Sequence, residues 1–234
     1  MSQMAGHDLG YMAVTGGLSL GARRDGLPDV PGMQSADAAG GALMAAMRIC
    51  AALVGREKTG EGSWLDVSIT DGMLSMIGPA FAGMAVTGEP PKPGDEILTG
   101  GVPNYALYRC KDGGVIAFAP LEPKFWAGVC AAVGEEMPLE RDGIAALIAT
   151  RDREAWVALL GPQCVSPLLE LAELPEHPHH KARNMFVGEG PDQRVRPPFP
   201  GGAECATLPA PTLGSHTVEE LRRVGFDPER LEDE

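Results

Sequence analysis

No two of the chain's cysteines are placed to pair. The five, Cys50, Cys110, Cys130, Cys164 and Cys205, are odd in number, far apart and outside any CxxC. A disulfide framework or a zinc site is therefore not expected, and reduced, buried thiols of a cytoplasmic protein fit better. Positive charge is scarce too. Nineteen Lys and Arg stand against 32 Asp and Glu, a formal net charge of −13, which argues against nucleic acid or an anionic membrane as a partner. A phosphate-bearing cofactor is still compatible, because a site can be locally basic on an acidic protein. The opening MSQMAGHDLG lacks the basic and apolar regions of a signal peptide. The richest apolar run, Ala38 to Val54, contains Arg48 and is too short to cross a bilayer. Ser68 and Ser75 lack a G-x-S-x-G setting, which speaks against a serine hydrolase. His177, His179 and His180 lack Cys or acidic ligands at suitable spacing, so no metal site is expected there.

What is present suits a globular enzyme. Hydrophobic residues make up 44% of the 234, enough for a real core, and 31 Gly with 21 Pro point to many turns between short elements. The pattern predicts a short helix over residues 7–16 and a loop over 21–32. A long helix follows over 38–54, capped by Ser35 or Asp37 and stopped at Gly55. That helix is apolar nearly all round, as expected of one buried between layers. Residues 64–69 alternate like a strand, and 71–86 read as a second apolar helix. Tyr105–Cys110 and Val115–Ala119 flank Lys111-Asp112-Gly113-Gly114, a hairpin signal. Shorter helices are expected over 123–133, 153–160, 179–185 and 217–224, with little regular structure over 191–211. The methionines read as core filler. The acidic run Glu219, Glu220, Asp227, Glu229, Glu232, Asp233 and Glu234 reads as a solvated face and tail. Together these elements predict an irregular α/β (α+β) fold. Three parts are expected: residues 1–90 within a large domain, 91–190 as a small α+β domain, and 191–234 as a return segment with a C-terminal helix.

Three residues carry candidate chemistry. His7 opens a helix beside Asp8; Asp37 lies at a helix start before the small residues Ala38-Ala39-Gly40-Gly41; Glu122 precedes Pro123 at a strand-to-helix junction. Small residues at a helix start let a ligand approach the backbone, and free N–H groups there could hold an anion such as an enolate oxygen. An imidazole and a carboxylate on opposite sides of a carbon acid would form an acid–base pair. Each of the three also has a bland reading as a cap or a solvent-facing group.

Ordered motifs sharpen the reading. Ala5-Gly6-His7-Asp8-Leu9-Gly10-Tyr11 with Ala13, Thr15 and Gly16 resembles the AGHD-x-x-Y-x-A-x-(T/S)-G stretch of α-methylacyl-CoA racemases. Ala36-Asp37 through Gly62 resembles their AD…GG…LLxRERTGxGQ region, and Trp64–Gly72 their WxDVSxxDG block. Tyr105–Gly114 is similar to YxxYRTxDG, Leu121–Trp126 to LEPxFW, Ala182–Phe186 to ARGMF and Leu213–Thr217 to LGxHT. The ordered set resembles family III CoA-transferases (CaiB/BaiF), in their racemase branch. The resemblance implies catalytic roles for His7, Asp37 and Glu122, with Gly6, Asp8, Tyr11, Gly40 and Gly41 contacting substrate. It implies proton abstraction and return at the α-carbon of a 2-methylacyl-CoA, within fatty acid metabolism. In the family's transferases the aspartate at the Asp37 position is instead the nucleophile, and the AGHD histidine is generally lacking. No cofactor is implied beyond CoA as part of the substrate. Implied partners are the acyl-CoA and either a second copy, as a homodimer, or a chain supplying the family's N-terminal Rossmann-like segment. That segment is expected to be missing here, because the matching motifs begin at Ala5. An inactive subunit that binds a homologue is the remaining alternative.

Overall fold

A computed structural model of the chain describes residues 5–21, 27–134, 140–196 and 211–227, which fall into two units, residues 1–169 and 170–234. Cys205, the tail acids from Glu229 onward and most of the Pro-rich 191–211 stretch lie outside the described residues.

The first unit begins with α1 (Asp8–Val14), which ends where Gly16 takes a φ of 78°. Buried Thr15 closes that turn by donating its hydroxyl to the Tyr11 carbonyl at 2.9 Å. A short α2 (Gly17–Leu20) follows. Residues Ala36–Leu43 then form a π-helical stretch that runs without a break into α3 (Met44–Thr59), which Gly60 terminates at φ 76°. Neither Ser35 nor Asp37 caps this helix through its side chain: Ser35 already has helical dihedrals, and Ala38 donates its N–H to Gln34. The whole run is 24 residues long. By length and composition alone it reaches the range of a membrane-crossing helix, longer than the apolar run read from the sequence.

Burial differs more sharply from expectation. No residue of α3 is buried, and Leu43, Met47, Ile49, Leu53 and Val54 are exposed. The all-round apolar pattern is real, but within this chain only the π-helical start is covered. There α4 (Ile69–Met76) approaches very closely. A Cβ on Gly72 would lie 2.0 Å from the Gly40 carbonyl oxygen, and one on Gly40 would lie 2.8 Å from the Ile69 carbonyl oxygen. Two glycines thus let the two helical backbones touch, and Met12, Ala36 and Met73 fill the small core beside them. The predicted strand over 64–69 does not form: residues 64–68 take no regular structure, and Ile69 already begins α4. Trp64 is almost fully exposed, and Ser68 ends the segment as a cap accepting from the Asp71 N–H at 3.3 Å. The single helix expected over 71–86 is two, α4 and α5 (Gly78–Thr87), bent by 53°. Pro79, in the first turn of α5, has no N–H with which to continue α4.

The remainder of this unit is a small sheet with helices packed on it. Strands β1 (Ala106–Arg109) and β2 (Val115–Phe118) form the predicted hairpin, with Leu107 opposite Ala117 and Arg109 opposite Val115. Cys110 and Gly114 close the turn at 2.7 Å, with Gly113 at φ 84°. A third strand, β3 (Val165–Pro167), pairs antiparallel to β2 and was not expected. Helices α6 (Pro123–Val133), α7 (Arg141–Ile148) and α8 (Arg153–Leu160) supply the other side of the core. At its centre are Ile116, Phe118, Val129, Ile144, Ile148, Trp156 and Leu160, all fully buried. The Trp156 indole N–H donates to the Ile148 carbonyl at 2.7 Å, so the largest core side chain leaves no polar atom unsatisfied. Asp112 ties the hairpin to α8: its two oxygens accept from the Gly114 N–H at 3.0 Å and the Arg153 N–H at 3.1 Å.

The second unit contains α9 (Pro178–Ala182), the two-residue strands β4 (Phe186–Val187) and β5 (Arg194–Val195), and α10 (Thr217–Arg223). The fold is therefore a mixture of helices and small antiparallel sheets.

Candidate active site

The AGHD loop is built to hold one backbone conformation. His7 is extended (φ −129°, ψ 168°) and occupies the N-cap position of α1, its carbonyl accepting from Gly10 at 2.8 Å and Tyr11 at 3.2 Å. Gly6 lies under the Tyr11 ring, where a Cβ would come within 2.7 Å of the phenol oxygen. Tyr11 in turn packs on the cluster of Met12, Ala36 and Met73. Gly6 and Tyr11, both expected to contact substrate, thus contact each other and fix the loop between them.

Asp8 supplies the long-range link. Its carboxylate accepts a hydrogen bond from the Asp37 backbone N–H at 2.8 Å, across 29 residues of sequence. This contact brings the His7–Asp8 segment to the start of the helical run that carries Asp37. It is charge-assisted, and Asp8 also sits in the first turn of α1, where a negative charge is favoured. The side chains of His7 and Asp37 are exposed and form no hydrogen bond among the described residues.

The helix-start donors are differently disposed. The Asp37 N–H is taken by Asp8 and the Ala38 N–H by Gln34, so neither is free for an anion. Gly40 is buried against Gly72 and Met73, and a Cβ on Gly41 would lie 3.0 Å from the Ile69 side chain. Close helix packing accounts for both glycines.

Glu122 is the N-cap residue of α6, with Pro123 in the first turn and its carbonyl accepting from Phe125 and Trp126. Its exposed side chain makes no capping bond. Trp126 anchors the helix by an edge-on contact to Phe118, with ring centroids 6.3 Å apart. Among the described residues no hydrogen bond joins Glu122 to His7 or Asp37. The structure therefore links the His7–Asp8 and Asp37 segments directly, and presents Glu122 separately at the end of the sheet.

Elsewhere, burial pushes the pKa of the Tyr108 phenol above its ordinary value, against the opposing pull of Arg141, and its hydroxyl donates to the Pro103 carbonyl at 2.6 Å. The Cys110 thiol is also raised, first by burial and then by Asp112. The histidines of the 177–180 stretch pack on one another, with His177 and His180 ring centroids 4.8 Å apart, and no metal-holding group of side chains occurs among the described residues.

The chain is thus a mixture of helices and small sheets in which the loop bearing His7 and Asp8 meets the helix start that carries Asp37. The family model for CoA-transferase family III matches residues 1–217, and the chain belongs to that family. It is 31% identical to α-methylacyl-CoA racemase of Mus musculus and 30% identical to that of Homo sapiens, over 98% of this chain and 65% of each relative. The chain thus spans just under two thirds of the length of these curated relatives. A solved CAIB/BAIF family protein from Brucella suis shares the fold, with a TM-score of 0.74 over 95% of this chain and 64% of that one, at 20% identity.

Proposed function

We propose that this chain carries the proton-transfer residues of an α-methylacyl-CoA racemase-like isomerase. The observation that carries the reading is the Asp8–Asp37 hydrogen bond, which sets the His7 loop against the helix bearing Asp37. In the reaction, one of these two groups removes the proton from the carbon next to the thioester, and an enolate forms. The conjugate acid of the other returns a proton on the opposite face, inverting that carbon. Glu122 orients His7 once substrate and partner are in place. The enolate oxygen needs donors worth several kcal/mol; with the Asp37 and Ala38 amides engaged, these come from other groups. CoA enters only as part of the substrate. The identity to the two racemases over nearly all of this chain supports the reading.

The exposed apolar side chains of α3, α4 and α5, among them Met47, Val54, Phe81 and Val86, support association with a second copy or with a chain carrying further family segments. The acidic charge and the free cysteines among the described residues favour the cytoplasm. A second reading rests on the exposed Asp37 carboxylate and the family's name: Asp37 as the nucleophile of a CoA transfer. Hydroxylamine separates the two. An acyl-enzyme at Asp37 yields a hydroxamate and excludes the racemase reading, whereas epimerisation of a single 2-methylacyl-CoA epimer without any hydroxamate supports it.

A further inference from the structure

Away from the His7 and Asp37 segments, the small sheet bears a cleft of about 490 Å³ between the 97–100 turn, the outer face of β1 and β2, and Arg141. Its floor is apolar: Leu107 and Ala117 pair across the strands there, while their neighbours Tyr108 and Ile116 face the core. Leu98 and Leu107 line the cleft and are open to solvent, 66% and 62% exposed. Arg141 is the single charged side chain in the lining. It is half-buried, and among the described residues its one hydrogen bond runs to the Gly100 carbonyl at 2.6 Å and no carboxylate is paired to it.

A guanidinium carries five N–H donors in a flat fork matched to a carboxylate, and a single backbone carbonyl leaves most of them unused. Partial burial makes an unneutralised charge costly and its neutralisation by an incoming anion correspondingly favourable. The volume lies within the range of small-molecule clefts, which are mostly apolar with one or a few placed polar groups. Arg141 is also held in place, by Gly100 on one side and by its position at the start of α7 on the other.

We infer that this cleft binds a carboxylate borne on a short apolar chain, with Arg141 gripping the carboxylate and Leu98, Leu107 and Ala117 receiving the chain. Ala119 lines the same cleft three residues before Glu122, so the occupant lies on the segment that leads to the expected catalytic glutamate. Such a ligand is either a free branched acid or an acyl thioester ending in a second carboxylate. The inference does not depend on proton transfer at His7 and Asp37, and its test involves no turnover, so either reading can fail alone.

The test is a ¹⁵N NMR titration of the full chain with 4-methylpentanoate and with its uncharged amide, reading the N–H signals of Thr99, Gly100, Leu107 and Ala117. Saturable shifts at these amides are expected with the acid, and binding of the amide is expected to be about tenfold weaker or worse. Arg141→Gln should weaken the acid by a similar factor, while Arg109→Gln, on β1 but outside the cleft lining, should leave it unchanged. If Arg141→Gln disturbs the fold, the acid-versus-amide comparison in the unaltered chain decides. A glutaryl thioester of N-acetylcysteamine distinguishes the two sources: tighter binding than the free acid points to an acyl thioester, equal or weaker binding to a free acid. Shifts that miss these amides, equal binding of acid and amide, or unimpaired binding by a folded Arg141→Gln would overturn the assignment.

Discussion

Replacing Asp8 by alanine tests the architecture of the site without touching His7 or Asp37. The substitution removes the acceptor of the Asp37 N–H at 2.8 Å and a favourable charge in the first turn of α1. A hydrogen bond to a charged partner contributes about 1.5–3 kcal/mol, and the part-exposed position puts this one at the lower end. The first-turn charge adds about 0.3–1 kcal/mol. A loss of about 2 kcal/mol is therefore expected, or roughly 4–8 °C in melting temperature for a chain of this size. Asp8→Asn keeps a side-chain oxygen to accept the bond and loses only the charge, so it should recover about half. Amide hydrogen exchange reads the contact itself. In Asp8→Ala the Asp37 amide should exchange about tenfold faster or more, with Asp8→Asn in between and the amides of Ile144 and Trp156 unchanged. An Asp37 amide equally protected in a folded Asp8→Ala protein would refute the link between the two segments.

Three further outcomes follow from the packing and from the shifted groups. Gly72→Ala would place a methyl group 2.0 Å from the Gly40 carbonyl oxygen, backbone that cannot yield, so it should cost about 3 kcal/mol or more in urea unfolding and disturb the site helix. Asp112→Ala frees the Gly114 and Arg153 N–H groups at once and should cost about 1–3 kcal/mol, with increased exchange confined to the hairpin turn and the start of α8. Tyr108 and Cys110 both hold their protons more tightly folded than unfolded. The folded state then binds more protons once pH exceeds the unfolded values, so stability should be flat through neutrality and fall above about pH 9, which urea midpoints at pH 8, 9 and 10 would show.

Local patterns read well in the sequence wherever local physics decides. Pro123 at a first turn gave α6 its start, and Lys111-Asp112-Gly113-Gly114 gave the hairpin because only a residue like Gly113 sits easily at positive φ. The helix 153–160 was legible for the same reason, from its own periodicity. Non-local facts were not. Strand β3 is three residues long and exists only because β2 offers it a partner. Helix α7 was missed altogether, although Ile144 and Ile148 show helical spacing. The break between α4 and α5 was legible in Gly78-Pro79 but overridden by the continuous apolar pattern on either side. The exposure of α3 ran against its composition, since an apolar helix is covered only if something in the same chain covers it. At the site, residue identity told more than arrangement did. His7, Asp37 and Glu122 stood out by their motifs, but that Asp8 clasps the Asp37 amide, and that Gly40 serves a neighbouring helix, depends on contacts 29 and 32 residues away.

Carbon-acid chemistry at His7 and Asp37 is the reaction proposed for this chain. Deuterium wash-in at the α-carbon of a 2-methylacyl-CoA in D2O tests it most directly. Incorporation is expected from the unaltered chain and should be lost in His7→Ala and Asp37→Ala proteins that remain folded by circular dichroism. Incorporation no faster than in buffer from the folded chain, or incorporation undiminished in both variants, would contradict it.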